Sequence, residues 1–121
     1  MTQQSHAATP MTQEMQDCID ACMTCHGMCE QTMSHCLQMG GDAPVEIMRA
    51  LMDCAETTRL CADMMMRRSP LATEMCALCA TACDMCAEAC MSMPDDEQMM
   101  RCAEACRRCA DSCRAMAGAT M

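Results

Sequence analysis

Cys102-Ala103-Glu104-Ala105-Cys106-Arg107-Arg108-Cys109-Ala110-Asp111-Ser112-Cys113 sets four cysteines at steps of four, three and four residues. Such steps bring side chains onto one face of an α-helix. A helical bundle ordinarily writes its core leucines in this rhythm, and here those positions are thiols. Working outward, the same rhythm holds Cys76, Cys79, Cys83, Cys86 and Cys90, then Cys54 and Cys61, then Cys18, Cys22, Cys25, Cys29 and Cys36. All sixteen cysteines lie three, four or seven residues from another. A helical core lined with sulfur suits a soft metal ion.

The stripe extends beyond cysteine. The first helix reads Met11, Met15, Cys18, Cys22, Cys25, Cys29, Thr32, Cys36, Met39, and the second Ile47, Leu51, Cys54, Thr58, Cys61, Met65. The third reads Ala72, Cys76, Cys79, Cys83, Cys86, Cys90, Met93, and the fourth Met99, Cys102, Cys106, Cys109, Cys113, Met116. Thiols fill the middle and thioethers close the ends. The last two helices share a Cys-Ala grammar that points to a hairpin repeat. Turn signals separate the segments. Thr9-Pro10 predicts a cap followed by proline at the first helical position. Gly40-Gly41 stops that helix, and Asp42 opens the next. Ser69-Pro70 repeats the cap-then-proline signature, and Pro94 with Asp95, Asp96 and Glu97 starts the last helix. The expected helices span residues 10–39, 43–68, 70–93 and 95–117, in one domain over 9–118 behind a flexible tail at 1–8. Short connections between helices of matched length predict an all-α, up-down-up-down antiparallel four-helix bundle.

Composition narrows the chemistry. The chain of 121 residues has no Phe, Tyr or Trp, against 20 Met and 16 Cys. Cysteine behaves as a small hydrophobe and methionine as a pliable gap-filler, so such a core specifies its shape weakly. Bound metal would add the missing rigidity. A net charge of −9 argues against nucleic acid or an anionic membrane surface as partner. The apolar runs fall short of a membrane span. Met1–Pro10 has no charged and apolar signal pattern, so the expectation is a cytoplasmic protein, or an exported one if a signal has been removed. No Ser/His/Asp, paired-carboxylate or phosphate-loop constellation marks an enzyme; Glu104 and Asp111 read as solvated faces.

A disulfide framework fits poorly, because helical neighbours hold their Cβ atoms about 5–6 Å apart and a disulfide needs roughly 3.5–4.5 Å. Bridges between facing helices would form only on oxidation. The Cys22/Cys25, Cys76/Cys79, Cys83/Cys86 and Cys106/Cys109 pairs lack the strand-to-helix setting of a thioredoxin site. Ferredoxin spacing does not occur. Thiolate and thioether select Cu(I), Zn(II) or iron–sulfur clusters. Cu(I) accepts two thiolates from one Cys-x-x-x-Cys pair, whereas zinc wants a tetrahedron that single helical pairs do not supply. One Cu(I) offsets one thiolate, so a loading of about one ion per cysteine leaves the buried core near neutrality. The methionine excess also favours Cu(I). The remaining alternatives are a zinc- or cadmium-buffering thiol protein and a thiol redox sensor.

These ladders, above all Cys102–Cys113 and Cys76–Cys90, resemble the cysteine-lined copper storage proteins of bacteria. The resemblance covers residues 12–117. It implies many Cu(I) ions in mainly two-coordinate thiolate sites, a homotetramer, and copper donors and acceptors as partners. The absent signal is similar to the cytosolic branch of that family, which tends to carry His near its open end, where this chain is rich in Met.

In this topology the first–second and third–fourth connections share one end. That end gathers Met39, Met48, Met52, Met91, Met93, Met99 and Met100, with His35 nearby. The family's ions enter there, and weak thioethers would pass copper inward to the thiolates. The ligand set is then all sixteen cysteines, with Met39, Met48, Met52, Met93, Met99 and His35 at the mouth. Met11, Met15, Met64, Met65, Met66, Met75 and Met116 are expected to form a hydrophobic plug or an oligomer contact at the other end. His26 reads as a boundary residue, and Cys36 and Cys54 as the cysteines nearest to bystanders.

Overall fold

Thr12 Oγ1 accepts the Met15 amide at 3.1 Å and so starts the first helix, as an N-cap threonine does. In the computed structural model, which describes residues 10–119, four helices follow: α1 (Gln13–Gln38), α2 (Val45–Met66), α3 (Ala72–Met91) and α4 (Glu97–Ala119), with a 3-10 turn at Gly40–Asp42 after α1. No strand occurs among the described residues. The tail at 1–8 and the cap expected at Thr9 lie outside them. Pro10 precedes the first helix instead of opening it, because the threonine whose hydroxyl reaches an amide of the first turn is Thr12.

The other boundaries shift for similar local reasons. Gly40 takes φ +65°, which glycine adopts without steric cost, and the turn delays α2 until after Pro44. The C-terminus of α2 is a Schellman motif: Arg68 N–H bonds Met65 O at 3.1 Å and Ser69 N–H bonds Met64 O at 2.9 Å. Arg68 holds the left-handed position at φ 51°, where glycine is usual. Ser69 Oγ then accepts the Leu71 amide at 3.1 Å, and α3 starts at Ala72. Asp96 caps α4 through Oδ1, which accepts the Met99 amide at 3.1 Å.

The helices pack in a ring, α1 on α2, α2 on α3, α3 on α4 and α4 back on α1. This is the up-down-up-down bundle. Its axis is sulfur: all sixteen cysteines are buried free thiols, and Ile47 and Leu51 are the largest aliphatic side chains fully buried beside them. Alanines that directly follow a cysteine, such as Ala55, Ala62, Ala80, Ala87, Ala103 and Ala110, are buried too. Small side chains at these flanks let the helices approach closely enough for thiols to meet. Thr32 and Thr58 interrupt the thiol rows, and each returns its hydroxyl proton to its own helix, to Met28 O and Cys54 O, both at 2.7 Å. No helix among the described residues is long and apolar enough to cross a membrane.

Burial of every thiol makes a chemical forecast. A disulfide reagent such as Ellman's, added to the reduced folded chain, should titrate the cysteines slowly, and all sixteen rapidly in denaturant, since buried thiols are inert. Fast reaction of most thiols in the folded state would contradict this core.

Candidate metal centre

The four stripes face one another, so thiols from different helices meet. Toward the end where α1 begins, Cys113 Sγ lies 3.9 Å from Cys18 Sγ and 3.7 Å from Cys22 Sγ, and Cys22 lies 3.7 Å from Cys109. In the middle, Cys25 is 3.7 Å from both Cys54 and Cys106, while Cys54 is 3.7 Å from Cys83 and 3.9 Å from Cys106. Cys79 and Cys83, one turn apart on α3, are 4.0 Å apart.

These contacts assemble into groups whose sulfurs all lie within 4.8 Å of one another: Cys22/Cys61/Cys79/Cys113, Cys25/Cys83/Cys109, Cys25/Cys29/Cys54/Cys106 and Cys29/Cys86/Cys102/Cys106. Cys25, Cys29 and Cys106 each belong to two groups, so three of the groups share corners, and the Cys22–Cys109 contact joins the first group to them in a continuous row. The first group draws one thiol from each helix. Four sulfurs that close have the ligand number of a tetrahedral site, which the stripe of any single helix could not reveal. Cys54 lies at the centre of the row, not at its margin. Cys18, Cys36, Cys76 and Cys90 stand outside these groups, toward the ends.

The electrostatics of the row are collective. Cys25 is held below the usual thiol range chiefly by the thiol of Cys106, then by those of Cys109, Cys29 and Cys54. Cys79 is held down by Cys109, Cys113, Cys22 and Cys61, and Cys86 by Cys102, Cys106, Cys29 and Cys54. The donors pay for this in reverse: Cys106 and Cys109 are pushed up, foremost by Cys102 and Cys113 respectively. Cys36 is raised by burial first and then by the Asp96 charge. A row of this kind shares protons among sulfurs. Neighbouring S–H groups favour the thiolate form at Cys25, Cys79 and Cys86.

At the shared-connection end, Met99 is fully buried, and Met39, Met48 and Met93 are half-buried against the thiol core. Met52 is 47 % exposed and stands apart from that group, on the outward face of α2. Met91 is exposed as well, with Arg107 Nη2 at 2.8 Å from its sulfur. His35 Nε2–H donates to Asp96 Oδ2 at 2.7 Å, and this contact holds the Asp96 carboxyl below its usual range. His26 Nδ1–H donates to Ala55 O at 2.8 Å, which pins α1 to α2 and matches a boundary role. At the opposite end, Met65 Sδ lies 3.9 Å from Cys76 Sγ. Stripe reading placed Met65 on the core face but gave no sign that its sulfur touches a thiol.

Known proteins share this fold and sequence pattern. Residues 11–118 match the family model described as copper storage protein. The Cu(I)-bound copper storage protein BsCsp3 superposes with a TM-score of 0.82 at 34 % identity, covering 87 % of this chain and 99 % of that one. The apo form of copper storage protein 3 from Bacillus subtilis gives 0.79 at 34 % identity, covering 84 % and 97 %. The Nmul_A1745 protein of Nitrosospira multiformis gives 0.81 at 36 %, covering 88 % and 97 %. Curated protein sequences gave no match. With its thiol-lined bundle matched over nearly its whole length, this chain belongs to the copper storage protein family.

Proposed function

We propose that the chain stores Cu(I), many ions per molecule, on the thiolates of its core. The observation that carries this is the continuous row of buried thiols, in which groups drawn from different helices share corners or touch. The Cu(I)-bound relative supports it. Each incoming ion replaces a thiol proton, so the buried charge changes little as the row fills. The same exchange links folding to loading, because the ligands converge only in the folded bundle. Nothing in this scheme turns over a substrate, and storage rather than catalysis is its purpose.

Copper is proposed to enter where Met39, Met48, Met93 and Met99 cover the row. Thioethers bind Cu(I) without adding charge, and so can hand it on to thiolates. Met52, being exposed, would act earlier, as a point of capture, and His35, whose Nε2–H is held by Asp96, would take part through Nδ1. A homotetramer, as the family resemblance implies, would cover the exposed Leu71 at the start of α3 and Leu78 and Met85 along it. The proposed partners are copper donors and acceptors in the cytoplasm, or outside it if the protein is exported.

A second function is favoured by one observation: the Cys22/Cys61/Cys79/Cys113 group has the ligand number of a tetrahedral zinc or cadmium site. Anaerobic titration with Cu(I) against a competing chelator separates the two. Storage requires loading to about one ion per cysteine, with about one proton released per ion. Saturation at one or two ions, or preference for zinc, would sink it. Cys83→Ala should lower capacity by about one or two ions and leave the helical signal intact, because it removes one small side chain from a shared group. Replacing Met39, Met48, Met93 and Met99 together with Leu, a change that conserves volume, should slow copper uptake from a chelate without changing final capacity. Unchanged uptake rates would remove the methionines from the route.

A further inference from the structure

Met65 is 1 % exposed, in the end of the bundle opposite the proposed mouth. Its Sδ accepts the Cys76 thiol at 3.9 Å, so a lone pair of the thioether faces the thiol row. Cys76 Sγ is itself 3.6 Å from Cys61 Sγ. Cys61 and Met65 are one turn apart on α2, on the same face, and Cys76 comes from α3. Three sulfurs from two helices therefore adjoin at the blind end, next to the group that holds Cys61 with Cys22, Cys79 and Cys113. Spacings of 3.6 and 3.9 Å are those found between thiols in the middle of the row.

We propose that Met65 is a copper ligand, and that Cys61, Cys76 and Met65 form a mixed thiolate–thioether site closing the row at its blind end. The site rests on Cu(I) storage by the thiols, which it extends by one neutral ligand. The thiolates of Cys61 and Cys76 together exceed the charge of one Cu(I). A third thiolate would add negative charge to a dry site, at a cost; a thioether completes the coordination without charge and remains a soft ligand. Met65 occupies the next helical step after Cys61, where another cysteine would have continued the row. Cys61 is shared with the Cys22/Cys79/Cys113 group, so this ion has only Cys76 and Met65 to itself, and the site fills late and empties early.

The test uses the full chain, reduced and anaerobic, labelled with 13C at the methionine methyl groups and titrated with Cu(I). The Met65 methyl resonance is identified by its absence in Met65→Leu. It should shift in the later part of the titration. Met65→Leu, which conserves volume, should keep the helical signal and hold about one copper fewer against a competing chelator. Met75→Leu, at the same end beside Cys76, should hold as many as the parent chain. A chain that loads fully while the Met65 methyl stays in place, or a Met65→Leu variant that loads like the parent, would overturn this site alone. A parent chain that fails to load overturns storage and this site together.

Discussion

Sulfur-to-sulfur contact along the bundle axis, at 3.6 to 4.0 Å, is the constraint on which the rest of the structure depends. Thiols are short, and they touch across four helices only if the backbones come close. The buried alanines that follow so many cysteines make that approach possible, and the absence of aromatic residues leaves nothing bulky to hold the helices apart. The two threonines in the stripes turn their hydroxyls back to their own helices. Among the described residues no buried side-chain nitrogen or oxygen lacks a partner. The core is thus apolar filling and, in the proposed store, also the ligand set, the same sulfurs serving in both capacities.

That double use has a consequence for stability. A core of cysteine and methionine buries less apolar surface per side chain than one of leucine and phenylalanine, and it locks fewer rotamers. Ile47 and Leu51 sit near the N-terminal end of α2, where they give the bundle an aliphatic anchor. The thiols of the middle are held chiefly by each other. In the proposed store, metal would convert this loose middle into a cross-linked one, since ions bridging helices add binding energy to folding energy. In that store, protons would leave the thiols as cations arrive.

Much of this was legible in the sequence, because helical steps of three and four say which face is buried. Every cysteine of the four stripes is in the core, together with Ile47, Leu51, Thr32, Thr58, Met65 and Met99. What the stripes could not give is the pairing between helices. The group Cys22/Cys61/Cys79/Cys113 and the central place of Cys54 depend on axial register, which no single helix encodes. Helix ends were displaced by local hydrogen bonds: Thr12 caps where Thr9 was expected, and Arg68 takes the left-handed position that sequence reading reserves for glycine. Methionine was the least legible residue, since its long side chain makes sequence position a poor guide to where the sulfur lies. Met52 looks outward and Met65 touches a thiol.

Crystals of the copper-loaded chain, with anomalous diffraction collected at the copper edge, would locate the ions directly. A row of copper peaks along the bundle axis is expected, each between cysteine sulfurs, running from the neighbourhood of Cys18 and Cys113 to that of Cys90 and Cys102. Peaks confined to surface carboxylates and histidines, with the thiol core empty of metal, would contradict a sulfur-lined store.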